Sequence, residues 1–139
     1  CGALVVADRH CYGSIESRIP IEIQDGEDAL EAVARHYLKT SQCPRFMPQD
    51  DMRARKQFLA DLTKEYKADG IIVESNKFCE YWSYERTIDS IILPRDFGIP
   101  VCSIEKEYIN GASGQLRTRF QAFVESIEIK KIQNQGGGR

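Results

Sequence analysis

The sequence has 139 residues, which is enough chain for one compact domain with a single core. Hydrophobic residues make up 42% and charged residues 29%, proportions that exclude a disordered, collagen-like or coiled-coil chain. The formal net charge is -2 and no apolar run is long enough to cross a bilayer, so we expect neither nucleic acid nor a membrane among the partners.

The first half of the chain predicts one strand and two helices. The apolar run from Gly2 to Ala7 is typical of a strand buried on both faces. A helix over about residues 27–39 follows an acidic start. A second amphipathic stretch extends over about residues 50–68 and places its apolar side chains on one face.

The second half repeats this alternation. Ile71 to Val73 predicts a second strand, and the polar and aromatic turn 75–80 leads into a helix that Pro94 is expected to end. The segment from Gly98 to Ile104 predicts a third strand, and Ser113 can cap a last helix with a continuous apolar stripe. That stripe consists of Leu116, Phe120, Phe123, Val124 and Ile127.

Strands that alternate with helices predict an α/β fold, a three-layer doubly wound parallel sheet of flavodoxin-like or Rossmann-like type. We expect residues 1–132 to form a single partial domain and residues 133–139 to form a disordered, glycine-rich tail. Three strands are few for such a sheet, and the chain begins with Cys1 rather than Met. We therefore expect an internal or C-terminal fragment of a larger protein, with a sheet that is truncated at its N-terminal strand.

Ligands of open parallel sheets bind outside the carboxyl ends of the strands. The segments that leave the predicted strands there are 8–14, 75–80 and 105–114, and they contain Cys11 and Cys79. The other thiols are expected to lie elsewhere: Cys102 in the core and Cys43 in a loop. The five cysteines form no C-x-x-C pair, which favours free thiols and a cytoplasmic location. His36 is expected at the surface or its boundary.

Cys79 is the main candidate for a metal or redox role. It lies where a strand leads into a helix, and the N-terminus of a helix favours the thiolate, the form that binds metal. The structural alternative is that Cys79 packs among Phe78, Tyr81 and Trp82. Cys11 is a secondary candidate by the same reasoning, with simple packing in a turn as its alternative.

Gln115 and Arg117 are candidate substrate-binding residues. The segment 111–119 places two glycines, an amide and two guanidinium groups around a helix start, which can receive a phosphate or a thioester-carrying cofactor. The alternative is a capped helix with surface ion pairs. The sequence has no G-x-G-x-x-G or G-x-x-x-x-G-K-[ST] motif, so ATP would have to be handled by another protein.

Four segments in series carry a resemblance to a known family. They are residues 5–8 with 11–14, residues 76–82 (NKFCEYW), residues 98–101 (GIPV) and residues 113–119 (SGQLRTR) followed by Ala122 and Phe123. In order and spacing they resemble the C-terminal domain of the 2-hydroxyacyl-CoA dehydratase and benzoyl-CoA reductase family. The resemblance covers residue 2 to about residue 128.

The resemblance implies an oxygen-sensitive iron–sulfur subunit in which a [4Fe-4S] cluster is held by three cysteines. Cys79 matches one ligand, and the other two would lie outside this sequence. The implied partners are an acyl-CoA substrate, a related second subunit and a separate ATP-hydrolysing activator that delivers a low-potential electron.

The implied reaction is radical reduction of the acyl-CoA thioester, which expels the 2-hydroxyl group in dehydratases (lyases) and reduces the ring in benzoyl-CoA reductases (oxidoreductases). The runs 79–85 and 105–108 resemble benzoyl-CoA reductase subunits more closely. The fragment alone is expected to be inactive. Two alternatives stay open: a cluster-free structural or acyl-CoA-binding subunit, and a double-cubane-type reductase of small molecules.

Overall fold

The computed structural model describes residues 1–10, 19–40, 43–46, 49–108 and 113–136. A two-stranded parallel sheet lies among four α-helices and one 3-10 helix. In chain order the elements are α1 (Ala29–Thr40), the 3-10 helix Pro44–Phe46, α2 (Gln49–Glu65), β1 (Ile71–Asn76), α3 (Glu80–Phe97), β2 (Val101–Lys106) and α4 (Ser113–Gly136).

Helix α1 forms close to the predicted position because an acidic residue caps it. The backbone N–H of Leu30 donates to Oδ1 of Asp28, 2.9 Å away, which satisfies one of the free donors at the helix start. Ala32 and His36 are buried on one face, four residues apart. The expectation that His36 lies at the surface is therefore wrong, because its spacing from Ala32 places it on the inner face.

The two strands pair in parallel, with Ile71 opposite Val101 and Asn76 opposite Lys106 at the ends of the register. Both strands are displaced from the predicted ranges: β1 continues beyond Val73, and β2 begins after Gly98 and extends beyond Ile104. Helix α3 connects them and packs against both strands, against α2 and against the 3-10 helix. The β1–α3–β2 unit thus has the expected crossover arrangement.

Helix α3 does not end at Pro94, which corrects the predicted boundary. The helix continues to Phe97, and Gly98 ends it in the left-handed conformation with φ 68°. The N–H of Gly98 donates to the carbonyl of Leu93. A proline close to the end of a helix removes only one hydrogen bond, so the left-handed glycine decides where the helix ends.

The prediction of a strand from Gly2 to Ala7 is also wrong. Residues 1–10 form neither helix nor strand, and the side chains of Leu4 and Val5 are 83% and 79% exposed. Apolar β-branched sequence favours a strand only where a neighbouring strand is available to pair with it. The described residues therefore form a mixed α/β fold whose sheet has two strands.

Helix α4 confirms the predicted apolar stripe and packs against β2. The five stripe residues are half-buried, whereas the other α4 side chains between residues 114 and 134 are exposed. The helix extends to Gly136 and so continues into the segment 133–139 for which a tail was predicted. None of the helices in the described ranges has the length and apolar character needed to cross a membrane.

Candidate functional site

A strained turn joins β1 to α3 at the carboxyl edge of the sheet. The N–H of Cys79 donates to the carbonyl of Asn76 across 3.2 Å, and the N–H of Lys77 donates to the carbonyl of Lys106 across 2.8 Å. Between them Phe78 has φ 66°, a left-handed conformation that a bulky residue rarely adopts. Strained residues of this kind cluster at functional sites, so this turn is a candidate functional site.

Cys79 is the N-cap residue of α3. Its backbone carbonyl accepts a hydrogen bond from the N–H of Ser83 at 2.9 Å, while its side chain makes no capping hydrogen bond. The residue is half-buried. The thiol is thus available for a ligand at the start of α3.

A cavity of about 650 Å³ opens next to this turn. Its volume lies in the range of small-molecule sites. Its walls combine charged and aromatic side chains from the ends of β1 and β2, the start of α3 and the 3-10 helix. They are Arg45, Lys77, Phe78, Cys79, Glu80, Tyr81, Glu107 and Tyr108.

An ion pair ties the two strand ends together at the cavity. Nζ of Lys77 donates to Oε1 of Glu107 at 2.6 Å, and both side chains are partly exposed. This hydrogen bond raises the pKa of Lys77 and lowers the pKa of Glu107. The pair therefore stays charged and contributes no net charge to the cavity wall.

Aromatic side chains dominate the rest of the rim. Phe78 is 98% exposed and Tyr108 is 85% exposed. The guanidinium group of Arg45 lies over the ring of Tyr81, 5.2 Å from its centroid, which is a cation–π contact. The rim thus offers flat apolar surfaces and one cation close to the Cys79 thiol.

The structure brings together two of the three segments predicted to meet at the carboxyl edge. Cys79 and the residues 105–108 lie at the same edge, as predicted. In the remaining segment, residues 8–10 are described but follow no strand, and Cys11 lies outside the described residues. Gln115 and Arg117 lie exposed on the first turns of α4 and do not line the cavity.

The thiols outside the cavity behave as their positions suggest. Cys102 is buried in β2, which confirms the core assignment, and burial raises the pKa of its thiol. Cys43 is half-buried directly before the 3-10 helix. Neither lines the cavity.

Sequence reasoning missed Arg45 as a wall residue. No motif surrounds it, and only the packing of the 3-10 helix on α3 brings it beside Tyr81. It also missed a buried charge cluster between α2 and α3, formed by Arg55, Lys56, Glu85 and Asp89. The sequence contains a signal for this cluster, because Arg55 and Lys56 lie at helical spacing from the buried Leu59 and Leu62.

Within the described ranges no three His, Cys, Asp or Glu side chains gather closely enough to hold a metal ion. Cys79 therefore offers a single sulfur ligand. One thiolate fits a cluster only as one ligand of a site completed by other cysteines.

The chain is similar in sequence to several known proteins. The family model described as 2-hydroxyglutaryl-CoA dehydratase, D-component, matches residues 1–127. The beta subunit of (R)-phenyllactyl-CoA dehydratase from Clostridium sporogenes is 37% identical over 81 residues, covering 56% of this chain and 21% of that protein. The beta subunit of lactoyl-CoA dehydratase from Anaerotignum propionicum is 30% identical over 119 residues, covering 81% of this chain and 30% of that protein.

A third relative is YjiM from Escherichia coli (strain K12), a dehydratase-subunit candidate by name. It is 27% identical over 126 residues, which cover 91% of this chain and 31% of that protein. The chain thus spans less than a third of the length of each of these curated relatives.

Proposed function

Because the chain belongs to the 2-hydroxyacyl-CoA dehydratase family, we propose that it acts as one subunit of an enzyme that removes water from a 2-hydroxyacyl-CoA. The observation that carries the proposal is the position of Cys79, whose thiol lines the cavity at the carboxyl edge of the sheet. The names of the relatives favour a dehydratase over a benzoyl-CoA reductase. The expected product of such a reaction is a 2-enoyl-CoA.

We propose that Cys79 contributes one ligand to a [4Fe-4S] cluster. The Cys79 thiol supports this role because it forms no disulfide, makes no capping hydrogen bond and lines the cavity. The remaining ligands would come from cysteines outside the described residues. Such a cluster, when bound, supplies low-potential electron transfer to the thioester.

The cavity residues of this chain would position the acyl-CoA and limit its contact with water. Phe78, Tyr81 and Tyr108 provide flat apolar surfaces on which an acyl group can pack. The Lys77–Glu107 pair holds the ends of β1 and β2 together and so keeps the cavity wall in shape. Gln115 and Arg117 remain proposed contacts of the CoA portion, since both side chains are exposed and able to donate.

The assembled enzyme would need further components. We propose a related second subunit, a separate ATP-hydrolysing activator and a cytoplasmic location. We also propose that the sheet of the complete subunit is a three-layer doubly wound sheet. The exposure of Leu4 and Val5, and of Ile72 on β1, supports additional strands or helices that cover these residues.

Anaerobic purification of the subunit with its partner tests the cluster assignment. We expect Cys79→Ala to lower the iron and sulfide content and the cluster absorbance, while Cys43→Ala leaves all three unchanged. Cys43 is the matched control because it is also a half-buried thiol but does not line the cavity. Unchanged iron in Cys79→Ala would favour the cluster-free acyl-CoA-binding subunit.

Turnover separates the remaining possibilities. We expect the reconstituted enzyme with its activator and ATP to convert a 2-hydroxyacyl-CoA to an enoyl-CoA and to leave benzoyl-CoA unreduced. Reduction of benzoyl-CoA instead would reassign the reaction. Turnover of neither acyl-CoA, with the cluster intact, would favour the small-molecule reductase.

A further inference from the structure

Four charged side chains line the Cys79 cavity, and the two cations, Arg45 and Lys77, are matched in number by two carboxylates, but only Lys77 is paired with one of them. Lys77 and Glu107 neutralise each other at 2.6 Å. Glu80 lies in the first turn of α3, where a carboxylate is stabilised by the helix dipole. Within the described part of the chain, Arg45 forms no ion pair and no hydrogen bond, although it lines the same cavity.

The contact with Tyr81 explains how Arg45 is kept in place without a carboxylate. The Cζ atom of Arg45 lies over the ring, 5.2 Å from the centroid. A cation–π contact of this kind involves no carboxylate, so the guanidinium group keeps its capacity to donate N–H groups to a ligand. The 3-10 helix that carries Arg45 packs on α3, the helix that carries Tyr81, so both partners are held by the fold.

A planar group of N–H donors with a full positive charge binds oxyanions in a bidentate manner. Its position on the wall of a cavity of about 650 Å³ places this capacity where a small molecule fits. We infer that Arg45 binds an oxyanion of the ligand that occupies the Cys79 cavity. The inference rests on the proposed function for the identity of the ligand, an acyl-CoA, whose oxyanion is either a CoA phosphate or a carboxylate at the end of the acyl chain.

Binding measurements on the full chain test this role. The single tryptophan, Trp82, lies in the first turn of α3 three residues from Cys79, so its fluorescence reports on ligands in the cavity, with calorimetry as a second readout. The probes are inorganic phosphate, coenzyme A, butyryl-CoA and succinyl-CoA. The variants are Arg45→Gln, Arg45→Lys and the control Arg95→Gln, whose side chain pairs with Asp96 in the last turn of α3.

We expect Arg45→Gln to weaken binding about 10-fold or more, and Arg45→Lys to recover only part of the loss because a lysine lacks the planar donor set. A loss shared by coenzyme A and both thioesters identifies a CoA phosphate as the bound group. A loss confined to succinyl-CoA identifies an acyl carboxylate. Arg95→Gln should bind every probe as the unsubstituted chain does.

Equal affinities of Arg45→Gln and the unsubstituted chain would overturn the inference while leaving an acyl-CoA function intact. An equal loss in Arg95→Gln would also overturn it, because the effect would then be one of overall charge. If the unsubstituted chain binds no acyl-CoA, the phosphate arm decides. Phosphate binding that is lost in Arg45→Gln supports an oxyanion site, and no phosphate binding refutes it.

Discussion

Lys56 of α2 and Asp89 of α3 form an ion pair in the interior, with Nζ 2.5 Å from Oδ1 and only 2% and 4% of the two side chains exposed. Glu85 joins the same cluster through Lys56 and through the guanidinium group of Arg55. Burial raises the pKa of Asp89 even though Lys56 opposes this shift. The cluster is costly to bury, so its members depend on one another.

Glu85→Gln tests that dependence. Glu85 accepts hydrogen bonds from Nη2 of Arg55 at 3.0 Å and from Nζ of Lys56, and its Oε1 lies 2.8 Å from Nε of Arg55 in an ion pair. Removing its charge leaves two buried cations with Asp89 as their remaining counter-ion in the cluster. We expect the free energy of unfolding in urea to fall by about 3–5 kcal/mol.

Glu107→Gln is the matched control for that change. It breaks the ion pair with Lys77, but the Glu107 side chain is 61% exposed. We expect its cost to be much smaller than that of Glu85→Gln because solvent screens the pair. Similar losses in the two variants would show that the buried cluster contributes no more than a surface pair.

The turn before Cys79 carries backbone strain that a second substitution can release. Phe78 has φ 66° while its side chain is 98% exposed, so the residue gains little from packing in return for its conformation. Asparagine tolerates the left-handed region. We expect Phe78→Asn to raise the free energy of unfolding by about 1 kcal/mol.

Tyr108→Asn separates strain from the loss of an aromatic ring. Tyr108 is also highly exposed at the cavity rim and has no positive φ. We expect its substitution to change the free energy of unfolding by less than about 0.5 kcal/mol. An equal gain in both variants would mean that removal of exposed apolar surface, rather than relief of strain, is responsible.

The sequence predicted elements with a clear periodicity and missed features that depend on distant pairing. The apolar stripe of α4 and the core position of Cys102 follow from local patterns and are confirmed. The strand from Gly2 to Ala7 is not formed, because β sequence requires a partner strand that local pattern cannot supply. The predicted end of α3 at Pro94 is wrong, because Gly98 in the left-handed conformation ends the helix.

The candidate site was also predictable only in part. Cys79 and the residues 105–108 were expected at one edge because parallel strands align their carboxyl ends, a rule of topology. Arg45 could not be predicted, because its contact with Tyr81 joins two segments whose relative position is decided by packing. Nothing in the spacing of Arg45 distinguishes it from an ordinary loop arginine.

A carboxylate before α1 makes stability depend on pH. Arg35 donates to Glu27 through Nε at 2.7 Å and Nη2 at 2.8 Å, and the N–H of Gln24 donates at 2.9 Å. These contacts lower the pKa of Glu27 from its ordinary value of 4.5 to about 2. Because the folded chain holds the ionised form, the stability that Glu27 contributes is present above about pH 4.5 and is lost as the pH falls toward 2.

Arg35→Gln should remove much of this dependence. We expect an NMR titration to show the pKa of Glu27 moving up toward 4.5, and the loss of stability between pH 4.5 and pH 2 to become smaller. Arg95→Gln is the control, because it releases Asp96 from a similar pair and should leave Glu27 unchanged. An unshifted Glu27 in Arg35→Gln would assign its low pKa to the backbone donor instead.

Side chains of α4 approach the backbone closely at Gly70, directly before β1. A Cβ at this position would lie 2.8 Å from Cζ of Phe123, 3.0 Å from Cδ1 of Ile127 and 3.1 Å from the carbonyl oxygen of Pro100. The first two atoms belong to the apolar stripe that α4 packs inward, and the third is backbone that cannot move aside easily. We expect Gly70→Ala to lower the free energy of unfolding by about 1–3 kcal/mol.

Gly114→Ala, a substitution within α4 itself, should have the opposite effect on stability. No atom lies within 4 Å of a Cβ built at Gly114, which is in the first turn of α4. Alanine favours a helix over glycine by roughly 0.5–1 kcal/mol, so this variant should be more stable in the same urea titration. If Gly70→Ala is instead as stable as the unsubstituted chain, α4 must be able to move away from Gly70. The close contact with Phe123 would then not determine how α4 packs.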